Sequence, residues 1–269
     1  MEKTQPEVKP NQFQNEAVVA MLNKVKNVFA VLSGKGGVGK STVAANLALA
    51  FGKKYPNRVG IIDSDIHGPN IPKILGLEGK TFTVVGGKAT PITGPHGLKV
   101  VSMAFLLQTP DTPVIWRGPV KMGVIKQFLT DFEWGELDYM FVDLPPGTGD
   151  EPLSIMQLIP NLKGVILVTT PQEVALLDCR KAAMMVHKMN VPLAGIVENM
   201  SEFVCPSCHE VFKIFGEGGG KKLAEENNTT FLGSVPILPE ICAQEDCGIH
   251  DSFEHFRRIS DKLEASINK

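Results

Sequence analysis

Residues 33–42 constrain the fold of this chain more than any other stretch of its sequence. They read Ser-Gly-Lys-Gly-Gly-Val-Gly-Lys-Ser-Thr and fit the phosphate-loop pattern of Gly, four residues of any type, Gly, Lys and then Ser or Thr. An apolar run at residues 28–32 precedes the motif and predicts a buried strand, and Val43, Leu47 and Ala50 follow it at helical spacing. Because the motif binds phosphates when it joins a strand to a helix, the sequence predicts an α/β nucleotide-binding fold.

The residue types of this phosphate loop (residues 33–42) explain how it would hold a nucleotide. Glycines let backbone N–H groups converge on phosphate oxygens, and the helix that follows directs its positive end at the same anion. Lys40 is predicted to neutralise the β- and γ-phosphates, and the Ser41 hydroxyl to hold Mg²⁺. The predicted nucleotide-binding residues of the loop are Gly34, Lys35, Gly36, Gly37, Val38, Gly39, Lys40, Ser41 and Thr42. The ordinary alternative is a Gly-rich turn between a strand and a helix.

Strand and helix patterns alternate along the rest of the chain. Further apolar runs predict strands at residues 58–63, 139–143, 164–168, 193–197 and 231–235. Their alternation with helical patterns predicts a three-layer P-loop NTPase fold, with a mostly parallel central sheet and helices on both faces. We expect an N-terminal arm and short helix at residues 1–25 and a single P-loop ATPase domain at residues 26–269.

Acidic residues stand where two of these strands end. Asp63 ends one strand and is followed by Asp65, and Asp143 ends another strand. Ligands of open α/β sheets bind at the carboxyl ends of the strands, so these acids are candidates to support Mg²⁺ and to orient the attacking water. Asp143 is the preferred metal-supporting acid, whereas Asp63 and Asp65 remain equal candidates for the water. The alternative for each of them is a helix cap or turn former.

Asn199 follows another predicted strand late in the fold. An amide at this position could meet the base edge of a nucleotide. The three residues after it, Met-Ser-Glu, supply neither a Lys nor an Asp for a guanine-reading set. The sequence therefore favours ATP over GTP.

A second motif is the pair Cys205 and Cys208, separated by Pro and Ser. Two thiolates at this spacing can share one metal ion or cluster, but zinc and four-iron clusters usually take four ligands. A second copy of the chain could donate the same pair across a two-fold axis, or Cys242 and Cys247 could complete a zinc site within one chain. We expect Cys179, within a predicted helix, to be an ordinary small apolar residue.

Composition argues against several functional classes. The chain of 269 residues has a net charge of −2 and no basic stripe, so we expect no nucleic-acid partner. Its N-terminus is polar and its longest apolar runs have the length of strands, so we expect a cytoplasmic protein without a membrane partner. Without a secretion signal, five cysteines favour metal or redox chemistry over a disulfide framework.

Taken together, these motifs resemble those of a known family. The second lysine near the front of the loop, Lys35, is similar to that of the deviant phosphate loop in the ParA, MinD and nitrogenase iron-protein class. Within that class, residues 63–69, 116–119, 143–150 and 205–208 resemble the Mrp/ApbC family of iron–sulfur cluster carriers. The resemblance spans residues 25–260, which is nearly the whole chain.

The resemblance implies a homodimer that binds two ATP molecules and acts as a weak Mg-ATPase. Lys35 would reach the phosphates of the partner subunit, Lys40 would hold those of its own, and Asp65 would position the water. Asp63 and Asp143 would lie near the Mg²⁺.

The same resemblance implies a cargo. Cys205 and Cys208 of both chains would bridge a labile 4Fe–4S cluster that is transferred to apo iron–sulfur proteins, and residues 143–150 would act as a switch that reports the γ-phosphate. Zinc is the alternative occupant. The alternative functions are a MinD- or ParA-like positioning ATPase with a structural zinc site and an ATP-driven electron-transfer reductase.

Overall fold

A computed structural model of the chain describes residues 16–107, 118–160, 162–239, 241, 243 and 254–267. Trp116 and Arg117 of the family motif, Cys242, Cys247 and most of the predicted N-terminal arm lie outside the described residues. The division into an arm at residues 1–25 and one domain at residues 26–269 therefore stays a prediction.

The strands are β1 (Val25–Ser33), β2 (Val59–Asp63), β3 (Thr83–Val85), β4 (Lys88–Thr90), β5 (Ile92–Thr93), β6 (Lys99–Ser102), β7 (Leu137–Asp143), β8 (Leu162–Thr169), β9 (Leu193–Val204), β10 (Val211–Phe212) and β11 (Phe231–Ile237). The α-helices are α1 (Glu16–Leu22), α2 (Lys40–Lys54), α3 (Ile71–Ile74), α4 (Gly118–Thr130), α5 (Asp150–Leu158), α6 (Glu173–Lys188), α7 (Gly219–Glu226) and α8 (Glu254–Ile267). Short 3₁₀ turns occupy Pro95–Gly97 and Met103–Leu106.

Nine of the described strands form one sheet in the order β10-β9-β8-β1-β7-β2-β6-β5, with β11 paired to β9. All neighbours pair in parallel except β10 and β5, which run antiparallel to β9 and β6. The remaining two strands, β3 and β4, form a separate antiparallel hairpin. The predicted mostly parallel sheet is therefore confirmed.

Apolar clusters cover both faces of this sheet. Successive residues of β1 point to opposite faces, so that Leu32 belongs to one buried cluster and Val31 to the other. Helices α1, α4, α5 and α6 contribute to the cluster of Leu32, and α2 and α8 to the cluster of Val31. A parallel sheet needs this double covering because both of its faces are apolar. The predicted three-layer architecture is confirmed.

Several element boundaries differ from the predictions. The helix expected within residues 1–25 is described from Glu16 to Leu22, and Val25 already pairs with Leu137 as part of β1. Strand β9 continues to Val204, seven residues past the predicted end at residue 197. The chain therefore remains part of the sheet up to Val204, the residue before Cys205.

The order of the strands positions the candidate site. The carboxyl ends of β1, β2, β7, β8 and β9 share one edge of the sheet, because these strands are parallel. Strands β7 and β2 lie on one side of β1, and β8 and β9 on the other. The acids that end β2 and β7 therefore lie on one side of the phosphate loop, and the chain leading to the cysteines lies on the other.

Candidate functional site

The phosphate loop connects β1 to α2, as the motif predicts. Gly37 and Gly39 have φ angles of +80° and +81°, which glycine adopts without steric cost. Gly34 is required for a different reason, since a Cβ there would lie 2.3 Å from the backbone carbonyl carbon of Asp178 in α6. Backbone sterics thus explain why this loop is rich in glycine.

The loop lines a cavity of about 340 Å³ at the carboxyl edge of the sheet. A volume of this size is at the lower end of the range for small-molecule sites. The polar residues that line it are Ser33, Lys35, Lys40, Ser41, Thr42, Asp65, Asn70 and Lys73. Most of the predicted nucleotide-binding residues thus surround one cavity.

Lys40, Ser41 and Asp143 form a buried network at the floor of this cavity. The Nζ atom of Lys40 lies 2.6 Å from Oδ1 of Asp143, and the Ser41 hydroxyl donates to Oδ2 at 2.6 Å. Asp143 is fully buried and Lys40 is 6% exposed. A hydroxyl and a carboxylate side by side supply the hard oxygen ligands that Mg²⁺ prefers, so Ser41 and Asp143 fit that ion.

Asp63 is fully buried beneath the cavity and is not among its lining residues. Its Oδ2 accepts hydrogen bonds from the backbone N–H of Ile71 and the Ser102 hydroxyl, and its Oδ1 accepts one from the N–H of Asp65. Burial raises the pKa of Asp63 well above its ordinary value, and the nearby Asp143 carboxylate raises it further. These contacts match the alternative of a turn former, and a role of Asp63 near the metal stays a prediction.

Asp65 is half-buried and lines the cavity. Its Oδ1 accepts a long hydrogen bond of 3.4 Å from the N–H of Gly68, and burial raises its pKa above the ordinary value. Of the two acids that the sequence leaves equal for the attacking water, only Asp65 faces the cavity. The geometry therefore favours Asp65 for this predicted role.

Lys121 is a residue of the site region that sequence reasoning missed. It is 7% exposed, and its Nζ contacts both Glu151, in the first turn of α5, and Nε2 of His67. It thus joins the segment after β2 to the segment after β7. A lysine among the apolar residues of α4 was the available signal in the sequence.

Asn199 lies in β9 and braces the phosphate loop from the sheet. Its Nδ2 donates to the carbonyl oxygen of Val38 at 2.9 Å. A Cβ on Gly39 would lie 2.1 Å from the same Nδ2, so the amide packs directly against the loop backbone. The structure links Asn199 to the loop itself, and its contact with a base stays a prediction.

Cys205 and Cys208 lie in the cysteine hairpin, residues 203–212, formed by the end of β9, a turn and β10. Cys208 is exposed and Cys205 is half-exposed. Hydrogen bonds from the backbone N–H groups of Cys208 and Ser207 lower the pKa of the Cys205 thiol. A lowered pKa favours the thiolate, which is the form that ligates metals.

The hairpin supplies two thiols, fewer than the four ligands that zinc or a four-iron cluster usually takes. Within the described ranges, no group of three or more His, Cys, Asp or Glu side chains could hold a metal ion. Cys179 is buried in α6, where burial raises the pKa of its thiol, as expected for an ordinary small residue. Exposed apolar side chains lie near the cysteines along the chain: Val204, Val211, Phe212 and Ile214.

None of the described helices is long and apolar enough to cross a membrane. The expectations about cytoplasmic location and absent membrane and nucleic-acid partners stay predictions.

Residues 24–267 match the family model of the NUBPL iron-transfer P-loop NTPases, within the ParA group. The iron–sulfur cluster carrier protein of Methanocaldococcus jannaschii is 48% identical over 277 aligned positions, which cover 97% of this chain and 93% of that protein. The match includes both the phosphate loop and the cysteine pair of this chain, which lie within residues 24–267.

Two solved structures share the fold. A nucleotide-binding protein from Archaeoglobus fulgidus, in complex with ADP, is 39% identical with a TM-score of 0.78, over 91% of this chain and 98% of that one. The septum site-determining protein MinD of Pyrococcus horikoshii, complexed with Mg-ADP, is 20% identical with a TM-score of 0.64, over 88% and 96% of the two chains. The second likeness concerns the fold alone.

Proposed function

The chain belongs to the family of NUBPL iron-transfer P-loop NTPases, and on that premise we propose that it is an ATP-dependent carrier that transfers a 4Fe–4S cluster to apo iron–sulfur proteins. The observation that carries this proposal is that one sheet connects a phosphate loop, with Lys40, Ser41 and Asp143 in contact, to a hairpin with two accessible thiols. The name of the relative from Methanocaldococcus jannaschii, an iron–sulfur cluster carrier protein, supports the cargo.

The nucleotide half of the proposal rests on the buried network. On binding ATP, Lys40 exchanges its contact with Asp143 for oxygens of the β- and γ-phosphates. Ser41 and Asp143 are the residues that would hold Mg²⁺, which neutralises phosphate charge when bound. Asp65 orients the attacking water from the wall of the cavity. Hydrolysis is weak in this proposal and serves to change the conformation of the carrier.

The cluster half of the proposal requires a second copy of the chain. Cys205 and Cys208 provide two thiolates, and a two-fold axis through the hairpin provides the same two again, which completes four ligands. The exposed apolar side chains around the hairpin suit burial in such an interface. Lys35, half-buried at the cavity wall, would reach the phosphates bound by the partner subunit.

Anaerobic reconstitution with iron and sulfide tests the proposal. We expect the wild-type dimer to take up half a cluster per chain, detected by its visible absorbance and by metal analysis, and to activate an apo iron–sulfur enzyme. Cys205→Ser and Cys208→Ser should each abolish uptake, because either one leaves two ligands in place of four. Cys179→Ser is the matched control and should retain the cluster, since this thiol is buried in α6.

The competing arrangement is a zinc site completed within one chain. A Cys242→Ser, Cys247→Ser double variant should bind the cluster like the wild type. One zinc per chain that survives dimer dissociation, or loss of the metal in that double variant, would contradict the bridged site.

A further inference from the structure

Strand β9 contacts the phosphate loop and then leads directly into the cysteine hairpin. Asn199, near the middle of the strand, donates to the carbonyl oxygen of Val38, and the Cε methyl of Met200 lies 3.8 Å from where a Cβ on Gly39 would be. The strand ends at Val204, and Cys205 follows without an intervening loop. One strand thus joins the nucleotide pocket to the thiols.

A shift in pairing interrupts β9 between Asn199 and the cysteine hairpin. Pairing with β11 advances four residues along β9, from Asn199 to Phe203, while β11 advances two, from Val235 to Ile237. Two residues of β9 are therefore extra, as in a β-bulge. Met200 lies at this bulge with a φ of +56°, a conformation that is unusual for a side chain other than Gly, Asn or Asp. Bulges and left-handed residues of this kind occur preferentially at functional sites.

Burial changes sharply at the same point. Residues 195–199 of β9 are buried, residues 200–203 are half-buried, and residues 206–214 are all exposed. The hairpin is therefore attached to the core chiefly through β9 and its partners, so a change of angle at Met200 would re-aim both thiols together.

The segment after β7 is the other element that could connect the nucleotide pocket to the cysteines. The order of the strands separates this segment from the hairpin. The segment after β7, residues 144–149, lies on the side of β1 opposite to β8 and β9. Within one chain, β1 and β8 stand between that segment and the cysteines. Both elements contact the phosphate loop, since Gly147 donates to the carbonyl oxygen of Ser33 and Asn199 to that of Val38. Only β9 also continues directly into the cysteine hairpin.

We propose that the bulge at Asn199 and Met200 couples nucleotide occupancy of the phosphate loop to the orientation of Cys205 and Cys208. The inference deepens the proposed function and rests on it for the identity of the cargo. Phosphates that draw in the N–H groups of the loop displace the Val38 carbonyl, Asn199 follows through its hydrogen bond, and the bulge at Met200 converts the shift into a rotation of the hairpin. Asn199 and Met200 act as positioning residues.

Thiol alkylation of the full-length apo-protein tests the coupling without a cluster. The rates at which iodoacetamide modifies Cys205 and Cys208 are measured by mass spectrometry, with saturating ADP, with a non-hydrolysable ATP analogue and without nucleotide. We expect nucleotide to change these rates by about fivefold or more in the wild type, in the range of ordinary allosteric coupling. Buried Cys179 is the internal reference.

Met200→Gly is the informative variant because glycine adopts this φ but does not enforce it. We expect its nucleotide-dependent rate ratio to fall close to one while its affinity for ADP stays at the wild-type value. Met200→Asn, which tolerates the left-handed conformation, should restore the ratio. Asn190→Gly is the matched control, since Asn190 has a φ of +54° in an exposed turn before β9, and it should keep the wild-type ratio.

Two results overturn the inference. One is a wild-type alkylation rate that is the same in all nucleotide states although binding of ADP is verified, and the other is a Met200→Gly ratio equal to that of the wild type. Both readouts use the apo-protein, whereas the proposed function is tested by cluster uptake. A chain that shows coupling but binds no cluster would therefore contradict the carrier function alone.

Discussion

The phosphate loop keeps its main ionisable groups away from water, whereas the cysteine hairpin exposes its thiols. Lys40 is 6% exposed and its partner Asp143 is fully buried, while Cys208 and every other residue at positions 206–214 are exposed. The phosphate loop meets Asp143 within one chain, whereas the hairpin brings together two thiols and no third metal-ligating side chain within the described residues. A site that recognises a substrate must be held rigid, but a site that releases a cargo has to remain accessible. The two regions thus differ in burial in the direction that the two proposed tasks, nucleotide recognition and cluster transfer, would require.

The largest expected effect follows from the buried ion pair of the loop. Lys40→Ala leaves the Asp143 carboxylate buried without its cation, and breaking a buried pair in this way costs about 3 kcal/mol in the free energy of unfolding. Chemical denaturation would measure the loss, and hydrolysis of ATP should vanish as well. Lys35→Ala is the matched control, because this second loop lysine is half-exposed, and its stability should stay within about 0.5 kcal/mol of the wild type.

Cys205→Ser extends this experiment to the hairpin. The half-exposed thiol contributes little packing, so we expect a change in unfolding free energy of less than about 0.5 kcal/mol together with a complete loss of cluster uptake. Equal destabilisation by Lys40→Ala and Cys205→Ser would contradict the contrast in burial between the two regions.

A loss of stability smaller than that of Lys40→Ala is expected for glycines of the two regions. Gly34→Ala places a methyl group 2.3 Å from the α6 backbone, and overpacking of this kind costs about 2–3 kcal/mol. Gly218→Ala, after the hairpin, meets nothing within 4 Å and is strained only by its φ of +71°, at a cost of about 1 kcal/mol. Thermal and chemical unfolding of both variants would measure the difference, and a larger loss for Gly218→Ala would contradict the account of close packing at Gly34.

The smallest change in stability from an ion pair is expected at the C-terminal end of α2, the helix that follows the phosphate loop. Glu264 of α8 contacts Lys54 and Tyr55, and these contacts outweigh its burial and lower its pKa. Because the pKa is lowered in the folded state, this stabilisation is present above the unfolded pKa of about 4.3 and is lost as pH falls through the folded value. Glu264→Gln should thus cost less than about 1 kcal/mol at pH 7 and nothing at the acidic end of the profile.

The matched control for this pH profile lies beside the hairpin. Glu217 pairs with Lys213 in an exposed position, so Glu217→Gln should leave the unfolding free energy unchanged within about 0.3 kcal/mol at every pH. Parallel profiles for the two variants would refute the special role of Glu264 in anchoring α2.

Much of the nucleotide site could be predicted because its residues are contiguous. The loop conformation follows from local sterics at Gly37 and Gly39, and the strand before it and the helix after it follow from their apolar periodicity. The roles of Asp63 and Asp65 could not be separated in the same way, because both follow one strand. Only the packing of Ile71 and Ser102 against Asp63 assigns it to the floor beneath the cavity.

The sequence by itself determined the local chemistry: a loop that can cradle phosphates, two thiols at a spacing suited to one metal centre, and an alternation of strands and helices. These features depend on near neighbours along the chain, where sterics and periodicity act. The tertiary structure alone decided which distant residues meet, such as Asn199 against Val38 and Lys121 between His67 and Glu151. Such contacts depend on the order of strands in the sheet, which is set by packing of the whole core. That order lets β9 contact the phosphate loop and then lead directly to the thiols.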